Sequence, residues 1–211
     1  MTLAGSGDNG YEERVTALAS PDAKKELRRR AKAVRNEAFL RHGVRAAQAL
    51  AETGIAFARR PAPAVVSGFL TIGEEIDPTP LMVRLLGEGY RLALPVMEGK
   101  GLPLVFRAWT PGDLLAETTW GIREPLASAP DVEPDIVLSP LLAFDANGHR
   151  LGYGGGFYDR SLARLRALKP VVAIGVGYDE QQVDAVPHLD YDQPLDWVLT
   201  PSGPIKCAGA E

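Results

Sequence analysis

The 211-residue chain has one cysteine, three histidines, no run of about 18 apolar residues and no excess of positive charge, and each scarcity removes a class of function. A lone Cys207 can form neither an intramolecular disulfide nor a multi-cysteine metal centre, which suits a reducing compartment. His42, His149 and His188 are scattered without ligand spacing, which argues against a zinc site. Nothing apolar is long enough to span a bilayer, and no cationic n-region precedes an apolar h-region, so neither membrane insertion nor export is expected. The expected location is the cytoplasm. The formal net charge of -4 lacks the basic excess on which non-specific nucleic-acid binding depends. Two familiar catalytic frames are missing as well. No Gly-Lys-Ser/Thr follows the glycines to make a P-loop, and their spacing is not that of a dinucleotide fingerprint. Ser139 and Ser161 lack the glycine frame of a nucleophile elbow.

What is present is enough apolar sequence, 45 % of residues, for one good core. A single domain over residues 20–205 is expected, with residues 1–19 a disordered leader and 206–211 a flexible tail, both small, polar and aperiodic. The spacing predicts a first helix opening at Ser20-Pro21-Asp22, with Leu27, Ala31, Val34 and Ala38 on one face. A second helix is expected from Val44 to Ala58. Short apolar runs then alternate with helices. Strands are predicted at 65–70, 91–96, 104–109, 135–138, 171–176 and 197–199, with helices over 80–88 and 157–168. Such alternation predicts an α/β fold with a mainly parallel sheet of about six strands.

The densest chemistry lies in Asn147-Gly148-His149-Arg150-Leu151-Gly152-Tyr153-Gly154-Gly155-Gly156-Phe157-Tyr158-Asp159-Arg160. Glycines just before a helix expose backbone N–H groups where the helix end is partly positive, which makes an anion site. Arg150 and Arg160 flank it, and Asp159 is a hard oxygen ligand of the kind Mg²⁺ takes. A surface loop with an ordinary turn at Asn147-Gly148 is the plain alternative.

The first helix carries Lys24, Lys25, Arg28, Arg29, Arg30, Lys32 and Arg35. A run of this kind is usually a solvated face, although cations in a first helical turn are disfavoured and an anion would relieve them. After the first strand, Glu74, Glu75 and Asp77 stand where open α/β sheets bind ligands. A carboxylate there can accept N–H donors from a heterocycle. Solvation is the simpler reading of Glu74, a helix cap that of Asp77, and Glu75 stays open. Trp120 either stacks on an aromatic ligand or fills the core. Asp190, Asp192 and Asp196 supply a further metal carboxylate or merely solvate a loop.

The block from Leu142-Ala143-Phe144-Asp145 through Asn147 to Arg160 closely resembles the signature of the 5-formyltetrahydrofolate cyclo-ligase family. Lys24 to Arg28, Phe69-Leu70 with Glu74-Glu75-Ile76, Thr119-Trp120, and Val186-Pro187 leading to Asp192 and Asp196 extend the likeness in order over residues 21–201. The resemblance implies a three-layer α/β/α domain, akin to sugar-phosphate isomerase and CoA-transferase architectures. It also implies conversion of 5-formyltetrahydrofolate, with ATP and Mg²⁺, to 5,10-methenyltetrahydrofolate, ADP and phosphate. Carried over by position, Lys24, Lys25, Glu26, Leu27 and Arg28, and Arg150, Leu151, Gly152, Tyr153, Gly154, Gly155, Gly156, Phe157 and Tyr158, bind ATP. Leu70, Glu75, Trp120 and residues 153–157 contact the folate. Asp159 and Asp192 hold the metal, and Arg150 and Tyr158 are the catalytic candidates. Some members have arginine and lysine where Tyr153 and Gly155 stand here, and many have tyrosine at Phe157.

The expected partners are small molecules only, reduced folate and ATP, acting on a monomer. On this reading Arg150→Ala costs turnover and leaves the fold intact. Two other readings stay open: a paralogue that serves another heterocycle, and a non-catalytic nucleotide- or folate-binding protein that consumes no ATP.

Overall fold

Where the spacing predicts two helices, one 33-residue helix, α1, runs over Pro21–Thr53 in the computed structural model, which describes residues 21–118 and 121–208. Gly43 does not break it. A glycine inside a helix costs only about 1 kcal/mol relative to alanine, and good helix formers, Leu40 and Arg41 before it and Arg45 and Ala46 after it, lie close on both sides. The stop comes at Gly54, whose φ of +68° is the left-handed conformation typical of a residue just past a helix end. Its N–H returns to the Leu50 carbonyl at 3.0 Å. The expected tail of the second helix is instead a short 3₁₀ turn over Ala56–Ala58. Ser20, the expected cap, lies outside the described residues, as do residues 1–19 and Trp120.

The strands are β1 (Val65–Ser67), β2 (Arg91–Val96), β3 (Val105–Ala108), β4 (Leu115–Glu117), β5 (Arg123–Pro125), β6 (Ile136–Pro140), β7 (Ala143–Phe144), β8 (Arg150–Leu151), β9 (Val172–Val176), β10 (Trp197–Thr200) and β11 (Gly203–Lys206). Helices α2 (Thr79–Gly87) and α3 (Phe157–Leu168) lie between them. Seven strands form the main sheet in the order β11-β10-β9-β6-β1-β2-β3. The five central strands are parallel, and β3 and β11 add antiparallel edges. Two hairpins, β4–β5 and β7–β8, stand apart from it.

Alternation along each strand builds the layers. Val66, Leu92, Leu94, Ile136, Leu138 and Ile174 point toward Ala38, Ala46 and Leu50 of α1 and Leu81, Met82 and Leu85 of α2. Their neighbours Val65, Ala93, Val137 and Ala173 point the other way, toward Leu162 and Leu165 of α3. The result is the expected three-layer α/β/α arrangement. The apolar face assigned to the start of α1 is corrected in part: Ala31 and Ala38 are buried, Leu27 is half-buried, and Val34 is exposed. Arg35 takes the buried place instead.

The expected flexible tail is corrected too. Lys206 belongs to β11, Cys207 is only 1 % exposed, and the Ala208 N–H bonds the Ala146 carbonyl at 3.0 Å. Burial pushes the Cys207 thiol up to about 12. Since the thiolate is the reactive form, a thiol reagent at pH 8 should leave the native protein unlabelled and titrate one group per chain in denaturant. Rapid labelling of the native chain would place Cys207 in solvent. No helix among the described residues is long and apolar enough to cross a membrane.

Candidate active site

The chain leaves β1 toward β2 on one side, whereas β6, β9 and β10 follow on the other, so the sheet's topological switch lies between β1 and β6. Open α/β sheets bind ligands beyond the carboxyl ends of such strands. Two of the segments singled out above emerge there. The loop after β1 carries Leu70, Glu74 and Glu75. The hairpin β7–β8 after β6 feeds the glycine loop and then α3.

A third element closes over them. Lys24, Arg28, Lys32 and Arg35, at helical spacing, lay one stripe of α1 across the crevice. Lys24 Nζ meets Asp192 Oδ2 at 2.9 Å, and Arg28 Nε donates to the Gly152 carbonyl at 3.0 Å. Lys32 Nζ and the Arg35 guanidinium stand 5.6 and 5.4 Å from the centre of the Tyr153 ring. The rest of the basic run faces away: Lys25 is exposed, and Glu26 is tied to Arg29 and Arg30, which hold its carboxyl down at about 2. Leu27 packs beside Ala31, Leu142 and Leu151.

Within the glycine loop, Gly154 has φ +100° and Gly156, the residue that opens α3, has φ +65° with no side-chain cap. The first amides of a 12-residue helix are therefore left without a side-chain acceptor at its partly positive end. A Cβ at Gly152 would meet nothing, whereas one at Gly154 would stand 3.3 Å from Arg28, one at Gly155 2.7 Å from the Phe157 ring and one at Gly156 2.7 Å from Arg160 Nη1, so the loop has room only for glycine at these three positions. Phe157 is half-buried against the second core cluster, and Arg160 donates to the Gly155 and Leu102 carbonyls.

Behind the loop, the Arg150 side chain is 5 % exposed and donates from Nη2 to Asp159 Oδ1 at 2.7 Å and from Nη1 to the Gln193 carbonyl. Asp159 also accepts the Gln193 N–H, and Asp192 accepts the Leu189 N–H. Burial lowers the Arg150 pKa, with Asp159 opposing it. Tyr158 beside it is pushed far above the ordinary phenol range, first by burial and then by Glu75, so its hydroxyl is a proton donor at neutral pH.

The loop after β1 is folded around Glu75. Its Oε2 accepts the Ile72 N–H at 2.8 Å, and its Oε1 lies 3.7 Å from Arg35 Nη1. Glu75 is 5 % exposed. Burial raises its pKa, while the Ile72 N–H, Arg35 and Tyr153 pull the other way. Glu74, read as solvated, also reaches Arg35, at 3.5 Å. Asp77 accepts the Thr79 N–H at the start of α2, as expected of a capping residue. A cleft of about 340 Å³ lined by Leu70, Ile72, Gly73, Asp77 and Gly121 opens next to this loop. Its size is within the range of small-molecule sites.

Two residues of consequence escape a reading of the sequence. Arg35 is indistinguishable from its neighbours in a basic run. Asp145, 2 % exposed, accepts N–H groups from Asn147, His149 and Val186 and contacts His149 Nδ1 at 3.2 Å. It pins the hairpin that carries Arg150 to the segment that carries Asp192. His149 and His188 stack at 3.5 Å over this junction. Only the local Asp145–His149 spacing hints at it.

The donors suit a magnesium ion bound together with a triphosphate rather than alone. Among the described residues no group of three His, Cys, Asp or Glu side chains is gathered to hold a metal. Mg²⁺ ordinarily takes one or two carboxylates and completes its shell with phosphate oxygens and water. Asp159 and Asp192 supply that number, and Lys24 and Arg150, their partners here, balance their charge.

Known proteins share both sequence and fold with this chain. The sequence model of the 5-formyltetrahydrofolate cyclo-ligase family matches residues 20–201. The 5-formyltetrahydrofolate cyclo-ligase of Mycolicibacterium smegmatis is 34 % identical over 190 residues, 86 % of this chain and 95 % of that one. The Escherichia coli K12 protein of the same name is 38 % identical over 142 residues, 65 % of this chain and 78 % of that one. The solved structure of Aquifex aeolicus 5,10-methenyltetrahydrofolate synthetase superposes with a TM-score of 0.69 at 26 % identity, covering 89 % of this chain and 94 % of that one. With a family match running almost from the start of α1 to the turn after β10, this chain belongs to the 5-formyltetrahydrofolate cyclo-ligase family.

Proposed function

We propose that the crevice at the switch point seats ATP on the glycine loop and the reduced folate beside Glu75, and closes the imidazoline ring of 5-formyltetrahydrofolate to give 5,10-methenyltetrahydrofolate. The observation that carries this reading is the Arg28–Gly152 contact, which brings the basic stripe of α1 onto the glycine loop from 124 residues away. Cations and bare amides then face one space, as a polyphosphate requires.

The chemistry needs little more from the protein. A formamide oxygen is a poor leaving group, so N10 cannot close on the formyl carbon until that oxygen is activated. The γ-phosphoryl group moves to the formyl oxygen and ADP leaves. N10 then attacks the formyl carbon and loses its proton, and phosphate departs with the former formyl oxygen. Phosphoryl transfer of this kind relies on positioning and charge neutralisation, so the lack of a nucleophile elbow is no obstacle.

Lys24, Arg28 and the amides of residues 154–158 hold the phosphates. Arg150 fixes Asp159, and Tyr158, protonated at neutral pH, is the proton donor toward developing charge in this reading. Glu75 orients the ring, with Leu70 as an apolar neighbour. Asp159 and Asp192 would hold Mg²⁺, which when bound supplies charge neutralisation between the transferring phosphates.

The test is direct. Purified protein mixed with 5-formyltetrahydrofolate should show the near-ultraviolet rise of the methenyl product only when MgATP is present, with one ADP formed per product. A rise without ATP, or binding of both ligands without ATP consumption, would overturn the reading.

A further inference from the structure

Arg35 is 3 % exposed, yet its Nε and Nη1 have no hydrogen-bond partner among the described residues. Glu75 Oε1, 3.7 Å from Nη1, has none either, because the Ile72 N–H occupies only Oε2. Leaving a buried charged donor or acceptor unsatisfied costs at least about 1–3 kcal/mol per group. Here one open acceptor and open donors stand side by side at the switch point, with the Tyr153 ring packed on the guanidinium. A ligand edge that satisfies both must offer an N–H to Glu75 and, next to it, an acceptor to Arg35. Phosphate lacks the donor, and a plain apolar ring lacks both.

We propose that Arg35 is a specificity-determining residue that, paired with Glu75, reads the lactam edge of the folate's 4-oxo pyrimidine ring, its ring N–H toward Glu75 and its carbonyl toward Arg35. The inference rests on the reading of the crevice as a folate site and adds the residue that decides which heterocycle fits. The exchange is sharp in chemical terms. A 4-amino analogue has a bare ring nitrogen where Glu75 needs a donor and an amino group where Arg35 needs an acceptor. Sites built on buried polar pairs reject such mismatches far more strongly than apolar pockets reject a missing methylene. Lysine at position 35 would keep the charge and lose the directional planar fork.

The experiment measures equilibrium binding of 5-formyltetrahydrofolate and of its 4-amino analogue, without ATP, to the wild type, Arg35→Gln and Arg35→Lys. Binding of a non-hydrolysable ATP analogue is measured alongside. The wild type should prefer the 4-oxo ligand by about 10-fold or more. Arg35→Gln should weaken the 4-oxo ligand by about 10- to 100-fold, bring the two ligands within about 3-fold of each other, and leave the ATP analogue unchanged. Arg35→Lys, which retains the charge if the glutamine variant does not fold, should lose most of the preference as well. At saturating ATP the loss should appear in the folate KM more than in kcat. A wild type that binds both ligands equally, or variants that keep the wild-type preference, would overturn the inference and leave the site's function standing. A wild type that binds the ATP analogue and no reduced folate at all would overturn both.

Discussion

Arg150→Ala is expected to lower turnover by two to three orders of magnitude and to lower the melting temperature by about 6–12 °C. The sequence alone expects a phosphate contact that could be removed with the fold intact. The structure adds a cost in stability: the guanidinium is 5 % exposed and forms the back wall of the site, bonded to Asp159 and to the Gln193 carbonyl. Removing one partner of a buried pair leaves the other charge uncompensated, at about 3–5 kcal/mol. Asp159 is 25 % exposed, so solvent reduces this to about 3 kcal/mol. At about 2–4 °C per kcal/mol for a domain of this size, the melting shift follows. The loss of turnover has a separate cause. Freed from Arg150, Asp159 is held by the Gln193 N–H alone, and the alignment of groups around developing charge is worth about 10²- to 10³-fold. Thermal melting and steady-state rates at a temperature where the variant is folded separate the two. Full activity in a folded Arg150→Ala protein would remove Arg150 and Asp159 from the site together.

The second large effect is at Gly154. Its φ of +100° is strained for any side chain, and more so for a β-branched one. A Cβ there would stand 3.3 Å from Arg28 Nη2, and the two methyl groups of valine would push farther into the guanidinium. Gly154→Val should therefore dislodge Arg28 from the Gly152 carbonyl and block the approach of phosphate oxygens to the loop. The apparent KM for ATP should rise about 100-fold, the scale of a lost charge-assisted contact plus backbone strain, with the folate KM much less affected. Gly154→Ala, which adds the Cβ alone, should fall between. An unchanged ATP KM in Gly154→Val would put the nucleotide somewhere other than this loop.

Both effects depend on residues whose types the sequence displays and whose partners it does not. Helix α3 is read correctly at both ends, because its glycine-rich start, its Leu162–Leu165 spacing and the following Lys169-Pro170 are local signals. The order of the parallel strands is not legible in the sequence, nor are the short pairs β4–β5 and β7–β8, since two or three residues carry no period. Lys24, Arg28 and Arg35 illustrate the limit best. On the sequence they are members of a charged run, and Arg35 even occupies a turn beside the apolar positions Ala31 and Ala38.

What the sequence by itself determined, then, is much of what depends on near neighbours: the periods of the longer strands and of α3, the α/β class, the glycines at 152 and 154–156 and the capping role of Asp77. The family signature also lies within one continuous stretch. What only the tertiary structure decided is which side chains meet. The Lys24–Asp192 pair spans 168 residues and the Arg28–Gly152 contact spans 124. A helix face acquires meaning from what is packed opposite it. The parting of the strands between β1 and β6 chose that the loop of Glu75, the glycine loop and one stripe of α1 share a single crevice.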